Sequence, residues 1–150
     1  MVYVDTSVIV KLYIKEEYSQ IVSSWVKKND EAIPLTTFHE LEFINALNLK
    51  KFRNEISEDE IKLITSRFEK HEKKGIYYRP PVDWTAIFTH AIDISKKHSA
   101  TIGSRSLDIL HVASALSINA DRFLTLDDRQ TNLAALFGLE TENIKKSENL

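Results

Sequence analysis

The sequence of 150 residues contains no cysteine and only three glycines and three prolines. Without cysteine, the chain can form no disulfide scaffold, no thiol nucleophile and no Cys-ligated zinc or iron–sulfur site. The glycines at positions 75, 103 and 138 are too far apart for the Gly-rich loops that cradle the phosphates of ATP or NAD. The low Gly and Pro content also excludes collagen-like and low-complexity classes of protein.

The sequence also lacks a long apolar run and an excess of one charge. No window approaches the roughly 18 to 20 apolar residues that a membrane span needs, and Asp5 and Lys11 stand where a signal peptide would be basic and then apolar. Lys and Arg number 20 against 22 Asp and Glu, a formal net charge of -2. We therefore expect a cytoplasmic protein without membrane contact, folded as a single domain over residues 1–150.

Hydrophobic periodicity predicts alternating strands and helices. Apolar or β-branched runs predict strands at 2–5, 33–37, 76–82 and 122–126, and helical spacing predicts helices at 18–26, 40–52, 57–74, 84–97, 107–118 and 127–137. Ser57 followed by Glu60 is typical of a capping box. Residues 101–106 are predicted as a loop, and about 141–150 as a polar tail that frays or contacts a partner. This order predicts an α/β fold, a three-layer α/β/α sandwich with a mostly parallel central sheet.

Four carboxylates stand where propensity does not explain them. Asp5 and Asp127 end the first and last predicted strands, whereas Glu40 and Asp108 begin helices at the head of their apolar stripes. In open α/β sheets, ligands bind beyond the carboxyl ends of the strands, so acids from distant segments can meet there. Because four acids would repel one another, we predict that a hard divalent cation, Mg²⁺ or Mn²⁺, joins them.

Each acid also has a simpler interpretation. Asp5 and Asp127 could cap the helices that follow them, and Glu40 and Asp108 could merely favour the positive end of a helix. The metal hypothesis is preferred because the simpler one needs four coincidences, three of them at the same end of a sheet.

The segments around these acids resemble a known family. The patterns V-D-T-S-V-I-V-K-L-Y at 4–13, E-L-x-x-x-x-A-L at 40–47, R-S-L-D-I-L-H-V-A-S-A-L at 105–116 and F-L-T-L-D-D-R-Q at 123–130 are similar to those of PIN domains, and most similar to the VapC-type toxin ribonucleases of toxin–antitoxin pairs. The resemblance covers nearly the whole chain in the same order. It implies a Mg²⁺-dependent endoribonuclease, a homodimer, and inhibition by a cognate antitoxin protein.

The resemblance also assigns site residues. It gives the catalytic and metal-binding positions of the family's acidic quartet to Asp5, Glu40, Asp108 and Asp127. Glu40 matches better than Glu42 because of the Leu that follows it and the spacing to Ala-Leu. Thr6 or Ser7 corresponds to the hydroxyl that supports the metal site, and Thr125 favours Asp127 over its neighbour Asp128.

RNA could be held by two basic features. The segment from Lys50 to Arg79 carries nine Lys or Arg against six acids and includes Tyr77 and Tyr78, which suits single-stranded RNA but equally suits a solvated helix face. Arg105 is a further candidate for a phosphate contact. His111 lies three residues after Asp108 and shares its helix face, although a structural histidine is the preferred interpretation.

Two other functions remain open. A phosphatase of the haloacid dehalogenase type also begins with a strand ending in Asp, but its chemistry needs a second acid two residues later, where this chain has Ser7. A non-catalytic PIN-fold module that binds RNA or protein would not need the four acids. The helices at 18–26 and 43–52 carry enough apolar side chains to form an antitoxin groove, or equally a core.

Overall fold

The computed structural model describes residues 1–145, and seven helices and five strands form within them. In chain order they are β1 (Val2–Val4), α1 (Thr6–Val10), α2 (Ser19–Lys28), β2 (Ile33–Pro34), α3 (Thr37–Phe52), α4 (Glu58–Lys73), β3 (Tyr77–Tyr78), α5 (Trp84–Ile102), α6 (Ser106–Ser117), β4 (Arg122–Thr125), α7 (Asp128–Leu136) and β5 (Glu140–Asn143).

These elements group into two compact units. The first unit contains Met1–Asp5 and the chain from Pro80 onward, with a parallel sheet in the order β1-β4-β5; the second contains Thr6–Arg79, with the parallel pair β2-β3. The predicted α/β class with a parallel sheet is therefore confirmed, whereas a single domain over 1–150 stays a prediction. Within residues 1–145, no helix is both long and apolar enough to cross a bilayer.

The sheet of the first unit has a buried centre, with all of β1 and residues Phe123–Thr125 of β4 buried. Tyr3 of β1 pairs with Phe123 of β4, and their rings stack with centroids 5.4 Å apart. Helix α7 packs on β4 and β5, and α6 packs against both α5 and α7. Helix α6 is buried from Ile109 to Ala115, which explains its Ala-rich and aliphatic sequence.

The second unit has an aromatic core. The ring of Phe68 stacks on Phe43 and on Tyr77, with centroids 4.7 and 5.1 Å away. The Tyr13 hydroxyl lies 2.8 Å from Nδ1 of His71 and 2.9 Å from the Tyr77 hydroxyl. Burial raises the pKa of Tyr77 to about 12 and also raises that of Tyr13, so both hydroxyls stay protonated.

Capping fixes the starts of the two long helices of the second unit. The predicted capping box of α4 is confirmed, because the Ser57 hydroxyl accepts from the Glu60 N–H and the Glu60 carboxylate accepts from the Ser57 N–H. Helix α3 begins at Thr37, capped by Thr36 in the same reciprocal way with His39. The prediction of a strand to residue 37 and a helix from 40 was therefore wrong by a few residues, since Thr36 supplies the helix start signal.

Further boundaries differ from the predictions, among them those of β3, which covers only Tyr77–Tyr78 of the predicted 76–82. Helix α5 continues to Ile102 and ends at Gly103, whose φ of 73° lies in the left-handed region that glycine adopts readily, so the predicted loop at 101–106 is shorter. Residues 140–143 form β5 rather than part of a frayed tail, and they pair with β4 over its full length. Residues 146–150 of the predicted tail lie outside the described residues.

Candidate functional site

Asp5 lies at the carboxyl end of β1 and is 8% exposed. Its N–H donates to the Leu124 carbonyl at 2.9 Å, which continues the β1–β4 ladder one residue beyond the strand. One carboxylate oxygen, Oδ2, lies 3.2 Å from the Thr125 hydroxyl, and the other, Oδ1, lies 3.3 Å from Nε2 of His111. The backbone of the sheet therefore places the acid, and two side chains from β4 and α6 hold its carboxylate.

His111, for which a structural histidine is the preferred interpretation from sequence, contacts Asp5 within the first unit. It is 2% exposed, and its other ring nitrogen, Nδ1, lies 2.8 Å from the Tyr3 hydroxyl. The D-x-x-H spacing from Asp108 put it on the correct helix face but could not show that the tertiary fold brings it to Asp5. Tyr3 was missed, although side chains two apart on a strand share a face, and that rule relates Tyr3 to Asp5.

Asp108 and Asp127 share one guanidinium. Arg105 Nε lies 2.9 Å from Asp108 Oδ2, and its Nη2 lies 3.6 Å from Asp127 Oδ2. The hydrogen bond to Asp108 raises the pKa of Arg105 most strongly, and the charges of Asp127 and Asp5 add to this rise. Three of the four predicted acids thus affect the guanidinium of Arg105, within the first unit.

Asp127 also serves as a helix cap, as the simpler interpretation allowed. Its Oδ1 accepts from the N–H groups of Arg129 and Gln130, at 2.8 and 3.1 Å, at the start of α7. Its other oxygen faces Arg105. The two interpretations of this acid are therefore compatible, because each uses a different carboxylate oxygen.

The remaining predicted residues of the first unit differ in burial. Thr125 is fully buried, accepts from the Asp127 N–H at 3.1 Å, and lies 2.5 Å from the side-chain oxygen of Gln130. Asp128, by contrast, is exposed in the first turn of α7. Thr125 therefore connects Asp5 to the Asp127 backbone, as a supporting residue would.

In the second unit, the two neighbouring acids of α3 have different partners. The Thr6 hydroxyl, directly after Asp5 in the sequence, donates to Glu42 Oε1 at 2.7 Å. Glu40 Oε2 instead accepts from Arg79 Nη1 at 2.7 Å. Ser7 is exposed in α1.

Arg79 binds a second carboxylate besides Glu40. Its Nε donates to Glu72 at 2.5 Å, and the hydrogen bonds to Glu72 and Glu40 raise the pKa of Arg79. The side chain of Glu40 is 46% exposed within this ion-pair network. The contacts of Glu40 are those of a surface ion pair, which is typically worth little in stability.

The donor set of the first unit fits a hard divalent cation. Its acids offer carboxylate oxygens, which Mg²⁺ and Mn²⁺ prefer, and the part of the chain that the structure describes contributes no softer thiolate ligand because the sequence has no cysteine. The guanidinium of Arg105 already balances part of the negative charge of this cluster.

Comparison with known proteins gives the family. The family model described as PIN domain matches residues 2–136. The chain belongs to the PIN domain family. As PIN domains are generally nucleases, this membership indicates a hydrolase that acts on nucleic acids.

A solved structure agrees with the fold of this PIN domain. It is described as FitAcB from Neisseria gonorrhoeae, is 16% identical in sequence, and superimposes with a TM-score of 0.70 over 97% of this chain and 99% of that one. At this identity the similarity shows the fold alone. No curated protein matches the chain.

Proposed function

We propose that this PIN domain is an endoribonuclease that hydrolyses RNA phosphodiester bonds with Mg²⁺ or Mn²⁺, as the toxin of a toxin–antitoxin pair. The observation that supports this most is that Asp108 and Asp127, from separate segments, share the guanidinium of Arg105 in the first unit, where the charge of Asp5 also raises the pKa of Arg105. Capping of α7 uses only one oxygen of Asp127 and leaves the other facing Arg105. Family membership supplies the nuclease chemistry.

In the proposed mechanism the protein contributes charge and alignment. When bound, divalent cations activate water and polarise the phosphate. Asp5 and Asp108 would hold the metal most directly, while Asp127 completes the coordination or positions the nucleophile. Arg105, whose side chain is 70% exposed, would reach a substrate phosphate. Carboxylates suffice for such a reaction, so no serine or histidine nucleophile is needed.

The fourth acid is Glu40 by resemblance, but the contacts within the second unit favour Glu42. Glu42 accepts from Thr6, the residue covalently next to Asp5, whereas Glu40 is engaged by Arg79. We therefore propose Glu42 as the fourth catalytic acid and a surface ion-pair role for Glu40.

A pair of matched variants decides between these two acids. Glu42→Gln and Glu40→Gln each remove one charge from the same helix and keep the side-chain length. We expect Glu42→Gln to reduce metal-dependent cleavage at least about 100-fold, in the range seen when a charge-stabilising group is removed, and Glu40→Gln to change it less than about threefold. The reverse order would return the assignment to Glu40.

The proposed function itself is tested with purified protein and a panel of tRNA, rRNA and mRNA, in Mg²⁺, Mn²⁺ or EDTA. We expect metal-dependent cuts within the RNA that disappear in Asp5→Asn and in Asp108→Asn, with circular dichroism unchanged. Full cleavage by either variant would contradict the site assignment. RNA binding without cleavage would indicate a non-catalytic module, and release of phosphate from a small phosphomonoester, with the RNA left intact, would indicate a phosphatase.

The basic segment 50–79 contributes less to RNA binding than its composition suggests. Lys50 binds Glu16 and Glu55, Lys51 binds Glu58, and Arg79 binds Glu40 and Glu72. Lys62 also lies 3.9 Å from Asp59. Ion pairs thus engage at least four of its nine basic side chains, which favours the interpretation of a solvated helix face. We propose that RNA is held chiefly beside the acids, with Arg105 as the phosphate contact.

Antitoxin binding and homodimerisation are proposed from the family resemblance. Of the apolar residues predicted to form an antitoxin groove in α3, Phe43 and Leu47 are buried in the core, whereas Ile44 and Phe52 are 50% and 83% exposed. The exposed face of α3, formed by Leu41, Ile44 and Phe52, is therefore the part that we propose for the antitoxin. A cytoplasmic location remains the expectation.

A further inference from the structure

A series of polar contacts connects the core of the first unit to the carboxylate of Asp5. The Tyr3 hydroxyl contacts Nδ1 of His111 at 2.8 Å, and Nε2 of His111 lies 3.3 Å from Asp5 Oδ1. Tyr3 is fully buried and His111 is 2% exposed. Buried polar side chains are costly unless their hydrogen bonds are made, so these contacts are a fixed part of the structure.

The chemistry of Tyr3, His111 and Asp5 determines which ring nitrogen of His111 carries the hydrogen. A carboxylate oxygen only accepts, so the Nε2 that faces Asp5 must carry a hydrogen. In the neutral ring, Nδ1 then accepts from the Tyr3 hydroxyl. The opposite tautomer would set the Nε2 lone pair against the carboxylate, whereas the Tyr3 hydroxyl can donate to Nδ1 or accept from it.

Packing holds the rings of Tyr3 and His111 in place. The Tyr3 ring stacks on Phe123 at 5.4 Å and meets the His111 ring edge-on, with centroids 5.7 Å apart and an angle of 68° between the planes. The ring of His111 therefore cannot rotate without disturbing a stacked aromatic pair in the core.

The second oxygen of Asp5 is held from the opposite strand. The Thr125 hydroxyl lies 3.2 Å from Asp5 Oδ2, and Thr125 is itself fixed by the Asp127 N–H at 3.1 Å. The Thr125 hydroxyl also lies 2.5 Å from the side-chain oxygen of Gln130, with which Asp5 shares it. Each oxygen of the carboxylate therefore has a buried polar neighbour, His111 on one side and Thr125 on the other.

We propose that His111 and Tyr3 are positioning residues that orient the Asp5 carboxylate for a divalent cation. This inference rests on the metal binding proposed above and extends it from the acids to the residues behind them. Groups that orient a metal-binding side chain typically account for about 10- to 100-fold in metal affinity. His111 acts on the cation through Asp5, and Tyr3 acts through His111.

Two substitutions of His111 separate hydrogen bonding from packing. The amide nitrogen of Gln lies as far along the side chain as Nε2 of histidine, whereas that of Asn lies only as far as Nδ1. We expect the Mn²⁺ dissociation constant of the full chain, measured by calorimetry, to rise about tenfold in His111→Asn and to stay within about threefold of wild type in His111→Gln. Tyr3→Phe, which keeps the stacked ring, should weaken Mn²⁺ binding by an intermediate factor.

A core substitution and a spectrum serve as controls. Ile94 is buried in α5, and we expect Ile94→Val to lower the thermal midpoint in EDTA while leaving Mn²⁺ affinity unchanged. Long-range ¹H–¹⁵N correlation of the metal-free protein should show His111 with its hydrogen on Nε2. This second measurement requires neither metal nor activity.

The outcomes distinguish this inference from the proposed function. Four results would each overturn the positioning role while Mn²⁺ binding by the wild type stands. His111→Asn could bind Mn²⁺ as tightly as wild type, or His111→Gln could bind it as weakly as His111→Asn. Ile94→Val could weaken binding as much as His111→Asn does, or the spectrum could show the hydrogen on Nδ1. A wild-type chain that binds no Mn²⁺ would overturn both. Weak binding by His111→Asn with rescue by His111→Gln supports the inference.

Discussion

At the residue scale, Asp127 shows how one side chain can carry structure and chemistry together. One oxygen caps α7 by accepting two backbone N–H groups, and the other oxygen faces Arg105. A cap needs only an acceptor, whereas a metal ligand of this kind benefits from a full negative charge. The two roles can therefore be separated by a substitution that keeps the acceptor and removes the charge.

Asp127→Asn is that substitution. Because Asn and Asp cap helices about equally well, we expect the free energy of unfolding in urea to change by less than about 1 kcal/mol. Metal-dependent RNA cleavage should fall at least about 100-fold. Asp93→Asn, which alters an exposed acid of α5, should leave both quantities as they are in wild type. A large loss of stability without loss of cleavage would show that Asp127 is only a cap.

At the scale of elements, helix α4 has both local contacts, at its capped start, and a tertiary contact, through a histidine near its other end. Its capping box is readable in the sequence because Ser57 and Glu60 bond to each other's backbone within four residues. The hydrogen bond between His71 near its other end and Tyr13 joins residues 58 positions apart. Local contacts of the first kind can be predicted from sequence, and tertiary contacts of the second kind cannot.

Removing the cap of α4 gives the first prediction at this scale. Ser57→Ala deletes the acceptor of the Glu60 N–H, and we expect it to lower the free energy of unfolding by about 1 kcal/mol. Ser66→Ala, in the exposed middle of the same helix, should be neutral or slightly stabilising because Ala has the higher helix propensity. Urea denaturation of both variants measures the difference. Equal stability of the two would show that the box contributes nothing.

The pH dependence of stability gives the second prediction. Burial, together with the charges of Arg67 and Lys74, lowers the pKa of His71 below its unfolded value of about 6.5. The unfolded chain then binds more protons at this position, so stability is full above about pH 6.5 and falls as the pH drops below it. In His71→Asn, which does not titrate, the urea midpoint should fall less between pH 7.5 and pH 5.5 than in wild type. An equal fall in both proteins would contradict this assignment.

At the scale of the whole molecule, sequence reasoning recovers the elements that have side-chain signals. The buried strands β1 and β4, the six longer helices and the acids at their ends all follow from periodicity, caps and strand-end positions. The partners of those acids do not follow. Glu42 and His111 are ordinary helix residues in the sequence, and only the fold shows that one meets Thr6 and the other meets Asp5.

Strand β5 is the element that the sequence conceals. Its residues Glu140–Asn143 are polar and lack the β-branched and aromatic side chains, apart from one Thr, that predict strands. Yet the strand pairs with β4 along four residues, and Arg122 binds Glu142 at 2.9 Å. The family match ends at residue 136, before this strand begins.

A fragment of residues 1–138 would therefore remove β5 and expose the backbone edge of β4. Since an unpaired edge of a buried, apolar strand is a template for intermolecular pairing, we expect this fragment to aggregate in size-exclusion chromatography with light scattering. Glu142→Gln, which alters one side chain of β5 and keeps its backbone, should elute as the full chain does. A fragment that elutes as a discrete species and melts like the full chain would show that β5 is dispensable.

Strand β5 is thus paired to the sheet through its main chain. Hydrogen bonds from backbone groups are indifferent to which side chain stands above them, so the residues of such a strand can vary in evolution with little effect on the sheet. A boundary drawn from sequence similarity, ending at residue 136, then falls inside the folded structure. For this protein, the region that matches the family in sequence therefore ends before the last strand of the sheet.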